Sequence, residues 1–123
     1  FALMEDFINK LKERFKKFAV SVIHFAGTLE NTEALLNIRN QVIRSASASA
    51  AGYRAACRAR TGKDFIYKLG KVEEELDESL FWLEMIDEIG PEKKANILPI
   101  WKEGDELLSI IVSSLNTKKK NSK

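Results

Sequence analysis

At 123 residues the chain is sized for one domain, and a hydrophobic share of 45% supplies enough apolar side chains for a core of its own. A formal net charge of +2 excludes a bulk polycation that would hold nucleic acid by composition alone, and a single cysteine, Cys57, excludes an internal disulfide and makes a reducing cytoplasm the expected compartment. The longest apolar run, residues 18–27, contains His24 and is too short to cross a bilayer, so no membrane partner and no signal peptide is expected.

The chain opens Phe1-Ala2-Leu3 before Met4; the natural start is expected at Met4, with residues 1–4 a foreign or frayed beginning. Over residues 5–27, Ile8, Leu11, Phe15, Phe18, Val22 and Phe25 recur at spacings of three and four, with Lys10, Lys12, Glu13, Lys16 and Lys17 between them. That spacing predicts an amphipathic helix whose apolar seam faces a core. Gly27 fits its C-terminal cap, and Asn31 or Thr32 fits the N-cap of the next helix, with Glu33 favourable in the first turn.

The second helix is predicted to run to about residue 59. Its segment 35–60 carries five arginines, Arg39, Arg44, Arg54, Arg58 and Arg60, and no acid, around the small-residue run 45–52. Asn40, Arg44, Ser47, Ala51, Arg54 and Arg58 fall on one face. The opposite arc is apolar or small and holds two adjacent seams, one through Leu35, Ile38, Val42, Ser45 and Ser49, the other through Ile43, Ala46, Ala50, Tyr53 and Cys57. A buried arc that broad predicts packing on more than one side, with Cys57 as a packed thiol.

Thr61-Gly62 breaks that helix, and a third is predicted over residues 63–89 with Phe65, Leu69, Val72, Leu76, Leu80 and Leu83 as its core stripe. Residues 64–88 hold nine acids against Lys68 and Lys71, opposite in sign to the preceding segment, as expected of two helices that face each other. Gly90-Pro91 predicts a stop and a restart. In the fourth helix Trp101, Gly104, Leu108, Ile111 and Leu115 are read as the seam, and Pro99 is expected to kink or delay it. Residues 118–123 read as a frayed basic tail. The whole is therefore predicted to be all-α, a single domain over residues 1–123, folded as an up-down-up-down antiparallel four-helix bundle with short loops.

Catalytic constellations are missing from the sequence. His24 is the single histidine, so neither a metal site nor a base relay can be assembled around a pair, and Ser45, Ser47 and Ser49 have no companion base. No enzyme, metal or cofactor is expected. The arginine face leaves two readings open. In one, Arg44, Arg54 or Arg58 pairs with Glu75, Glu78 or Glu84 of the acidic helix and sets register. In the other the stripe meets phosphates, with Arg54, Arg58, Arg60, Lys118, Lys119 and Lys120 as the nucleic-acid-binding set. The two are expected to coexist, with Arg44 held by Glu75 or Glu78 as a structural ion pair while Arg54 and Arg58 stay free to contact phosphate. Leu80, Phe81, Trp82 and Leu83 point around most of their helix, so Phe81, Trp82 and Met85 are expected at an interface between copies of the chain, the alternative being a tryptophan half covered within one bundle.

Several segments carry a family resemblance: Arg44-Ser45-Ala46, Ala51, Tyr53-Arg54 and Ala56; Lys63-Asp64-Phe65-Ile66 and Lys68-Leu69; Glu75, Glu78 and Trp82-Leu83-Glu84; then residues 103–108, Ser113-Ser114 and Thr117-Lys118-Lys119. In their order and spacing the chain resembles the small bacterial four-helix bundle proteins encoded in intervening sequences of 23S rRNA genes. The resemblance implies a ring-like homo-oligomer, commonly a pentamer, with no enzymatic activity. A related branch, the accessory proteins of diversity-generating retroelements, implies RNA or DNA and a reverse transcriptase as partners. Relatives often carry serine, asparagine and glutamate where this chain has Ala48, Gly52 and Ala55, so a site built on those three is not expected here. The leading expectation is a binding or scaffold module acting on nucleic acid or a nucleoprotein; the alternative is a protein-binding adaptor with purely structural arginines.

Overall fold

The computed structural model describes residues 2–90 and 94–121. Four helices account for nearly all of them: α1, Ala2–Ala26; α2, Glu33–Ala56; α3, Gly62–Ile89; and α4, Lys94–Asn121. There is no strand among the described residues. Each helix packs against the next, α4 closes back on α1, and the backbones of the diagonal pairs stay apart. Short connections between successive neighbours produce the up-down-up-down bundle.

Local chemistry sets the helix ends. Thr32 is the N-cap of α2, its Oγ1 accepting from Leu35 N at 3.2 Å, and Thr61 caps α3, accepting from Asp64 N at 3.0 Å. Arg39 closes the α1–α2 loop, donating to Leu29 O at 2.6 Å and to Asn31 Oδ1 at 3.2 Å, so it belongs to the loop and not to the basic face. Gly27 follows α1 without a left-handed backbone, since no described glycine has positive φ.

The core is built from the predicted stripes. Leu11, Phe15, Phe18, Val22 and Phe25 of α1, Leu35, Ile38, Val42 and Ala46 of α2, and Leu69, Val72, Leu76, Leu80 and Leu83 of α3 are all buried. Small residues bring α2 and α3 close together. A Cβ on Gly52 would lie 3.1 Å from Val72 Cγ2, and the buried Ser45 and Ser79 hydroxyls meet at 2.9 Å, with Ser79 Oγ also 2.9 Å from Glu75 O.

Five expectations need correction. Helix α1 is already formed at Ala2, so residues 2–4 are not frayed; Phe1 lies outside the described residues. Helix α2 stops at Ala56, three residues early, because Arg58 N and Ala59 N turn to the carbonyls three residues back, a tightening typical of helix ends. The seam of α4 runs through Ile97, Gly104, Leu107, Ile111 and Leu115: Leu107 is fully buried, Leu108 is half-buried, and Trp101 is half-buried with its Nε1 donating to Glu84 Oε2 at 3.0 Å. Of the two effects expected of Pro99, a delay is absent, because the helix is already running at Lys94 and Pro99 sits inside it; the predicted restart at Pro91 lies outside the described residues. Finally, Lys118, Lys119, Lys120 and Asn121 are the last turn of α4 and not a frayed tail, with residues 122–123 outside the described part. A run of lysines suits that position because the carbonyl end of a helix favours cations.

Candidate nucleic-acid interface

The middle of α2 is tied to α3 by ion pairs. Arg44 Nη1 lies 3.1 Å from Glu75 Oε2, its Nη2 donates to Glu78 Oε2, and Trp82 Nε1 donates to that same oxygen at 3.1 Å. The hydrogen bond to Glu78 is the main reason that the Arg44 pKa is raised. Desolvation alone would raise the Glu78 pKa, but the hydrogen bonds from Trp82 and Arg44 outweigh it and leave the carboxyl below its usual value. A carboxyl so depressed adds stability above its unfolded pKa and loses it as pH falls through the folded one. Arg44 is half exposed, so the effect is small. Arg44→Ala should lower the thermal midpoint slightly at neutral pH and flatten its acid dependence; identical melts at pH 7 and pH 3 for wild type and variant would show that the pair does not contribute.

Further along α2, towards its C-terminal end, the surroundings change. Arg54 and Arg58 are exposed there, and α1 packs beside them with Lys12 and Lys16. These four cations, with Glu13, line an open groove of about 410 Å³ whose floor is Ala50 and Ala51. None of the four forms an ion pair among the described residues. On the other side of α1 the cation is neutralised: Arg14 makes a two-pronged contact with Glu103 of α4, at 2.7 and 3.1 Å, and lies 3.2 Å from Glu106. Sequence reasoning missed Lys12, Lys16 and Arg14, because on a helical wheel all three read as an ordinary solvated face. Adjacent spacing, with Lys12 and Lys16 at i,i+4, was the one available signal.

Arg60, in the turn between α2 and α3, is exposed, as are Lys118, Lys119 and Lys120. Up-down connectivity brings the end of α2, the start of α3 and the end of α4 to the same end of the bundle, so these residues share that end with Arg54 and Arg58 without lining their groove. Lys118 Nζ rests 5.6 Å from the centre of the Phe65 ring. An apolar cavity of about 490 Å³ opens at this end, lined by Met4, Phe7, Phe65 and the half-buried Cys57 among others. Tyr53 also lines it, stacked on Phe15 at 4.8 Å between ring centres; burial above all, then neighbouring Cys57, pushes its phenol pKa well up.

On α3, Leu80 and Leu83 are buried, Trp82 and Met85 are half-buried, and Phe81 is 50% exposed, its ring edge-on to Trp82 at 5.0 Å. Phe81, Met85 and the exposed Ile89 follow at i,i+4 and form an apolar ridge. His24 is exposed. Among the described residues no group of three or more His, Cys, Asp or Glu is placed to hold a metal ion, and no helix is long and apolar enough to cross a membrane.

No protein-family model matches the chain, and no curated protein matches it. Among solved structures it is similar to a protein of unknown function from the S23 ribosomal protein family of Bacteroides thetaiotaomicron, with a TM-score of 0.79 and 25% identity over 85% of this chain and 97% of that one. The four-helix fold is thus shared along nearly the whole of that protein.

Proposed function

We propose that the chain is a non-catalytic, cytoplasmic four-helix module that assembles with copies of itself, most simply as a closed ring of five, and binds RNA or DNA through the basic end of the bundle. One observation carries the reading: the helix that spends Arg44 on two carboxylates leaves Arg54 near its end, and Arg58 just past it, exposed with no acid paired to them among the described residues. Structural arginines would be paired throughout. The neighbour's placement in a ribosomal protein family points the same way. Self-assembly is supported by the ridge at Phe81, Trp82, Met85 and Ile89, since aromatic side chains half left in water are typical anchors of subunit contacts. Several copies would sum modest patches into a strong field.

The test has two parts on the same preparation. Light scattering should give a mass of several chains, moved towards one chain by Trp82→Glu. Anisotropy titrations with labelled RNA and DNA at two salt concentrations should show binding that weakens with salt. Arg54→Ala with Arg58→Ala should reduce the log-log slope by about two, roughly one for each phosphate no longer neutralised, with an unchanged melt. Wild type that binds neither RNA nor DNA at low salt would replace this reading with that of a protein-binding adaptor.

A further inference from the structure

Several cations elsewhere on the bundle sit beside acids: Lys10 by Asp6 at 3.1 Å, Lys68 by Asp64 at 3.0 Å, Arg14 by Glu103, and Arg44 by Glu75. Between α1 and α2 the opposite holds. Lys12 and Lys16 stand one turn apart on one wall, Arg54 and Arg58 one turn apart on the other, and the single acid of the lining, Glu13, is within 4.0 Å of none of them. Like charges at i,i+4 oppose helix formation, and facing two such pairs across a groove adds to the repulsion. An anion seated between the walls turns that repulsion into attraction.

We propose that Lys12 and Lys16 of α1, with Arg54 of α2 and Arg58 just past its end, form one groove that holds the sugar–phosphate backbone of double-stranded nucleic acid and reads no base. This rests on the nucleic-acid reading above and adds the second wall, the kind of nucleic acid and the manner of recognition. The lining explains the manner. It has no aromatic ring on which an unpaired base could stack and no amide for an adenine edge, and its two arginines face two lysines across the groove, a spread of charge that suits successive phosphates. Its floor, Ala50 and Ala51, lets a phosphate ridge come close to the helix. Without an aromatic platform, charge is the main source of affinity, and a duplex releases more counterions for each phosphate neutralised than a single strand does.

Duplex and single-stranded oligonucleotides of equal length, each in two unrelated sequences, would be titrated against wild type, Lys12→Gln with Lys16→Gln, and a charge-matched control, Lys71→Gln with Lys102→Gln. The groove variant should bind duplex about tenfold more weakly or worse, with a salt slope smaller by about two, while the control changes little. The two duplex sequences should bind alike, the single strands more weakly, and the thermal midpoint of the groove variant should not fall. If the groove variant binds as wild type does while Arg54→Ala with Arg58→Ala loses affinity, the second wall is wrong and the nucleic-acid reading survives. Tighter binding of single strands, or a strong difference between the two sequences, overturns backbone-only recognition. Absence of any wild-type binding removes the nucleic-acid reading itself.

Discussion

Phe15→Ala should lower the unfolding free energy by about 3–5 kcal/mol, the usual range for deleting a buried phenyl ring. Phe15 has no exposed surface, and its ring lies stacked at 10° to that of Tyr53, itself 5% exposed, so one side chain joins α1 to the end of the small-residue helix. Removing it costs the transfer of the ring and the dispersion attraction along both its faces. The cavity lined by Tyr53 lies close by, so the new void gains a path for water. Urea unfolding of the two proteins measures the difference directly. A loss below about 1 kcal/mol, outside the range for such truncations, would show that the ring is not packed as described.

Gly104→Leu should cost about 2–3 kcal/mol by overpacking. On α4 a Cβ at this position would already lie 2.9 Å from Leu80 Cδ2 and 2.9 Å from Phe18 Cε1, so α1, α3 and α4 converge where one hydrogen is all that fits. Replacing glycine within a helix returns at most about 1 kcal/mol of propensity, which does not offset the collision of a four-carbon side chain with two core residues. Gly70 of α3 is the internal control. A Cβ there meets nothing within 4 Å, so Gly70→Ala should raise stability by about 0.5–1 kcal/mol. Thermal melts of the two variants should move in opposite directions. Equal shifts would mean that helix propensity alone governs both sites and that the close approach at Gly104 is absent.

The outcomes along α4 show where local reasoning stops. Counting a heptad from Trp101 selects Leu108, yet Leu107 is the fully buried residue and Trp101 turns its indole nitrogen to Glu84. Both leucines satisfy the same periodicity within one position, and the rotation of α4 is decided by Gly104, which meets Phe18 and Leu80 from two other helices. Trp82 is similar. Its helix presents more bulk than one bundle covers, which is visible in the residues 80–83 themselves, but that Phe81 takes the exposed place and Trp82 the half-buried one depends on the hydrogen bond from Trp82 to Glu78.

By itself the sequence determined four helices, the apolar stripes of α1 and α3, the small face of α2 and a cap at Asn31 or Thr32, because each rests on interactions within a few residues and on a repeat of 3.6. The opposed charges of residues 35–63 and 64–88 also foretold that α2 and α3 face each other. Only the tertiary structure decided that Arg14 reaches Glu103 and that Lys12 and Lys16 share a groove with Arg54 and Arg58. Those pairings span some forty to ninety residues and depend on how each helix is rotated against its neighbours, which core packing sets and the charges along any one helix do not.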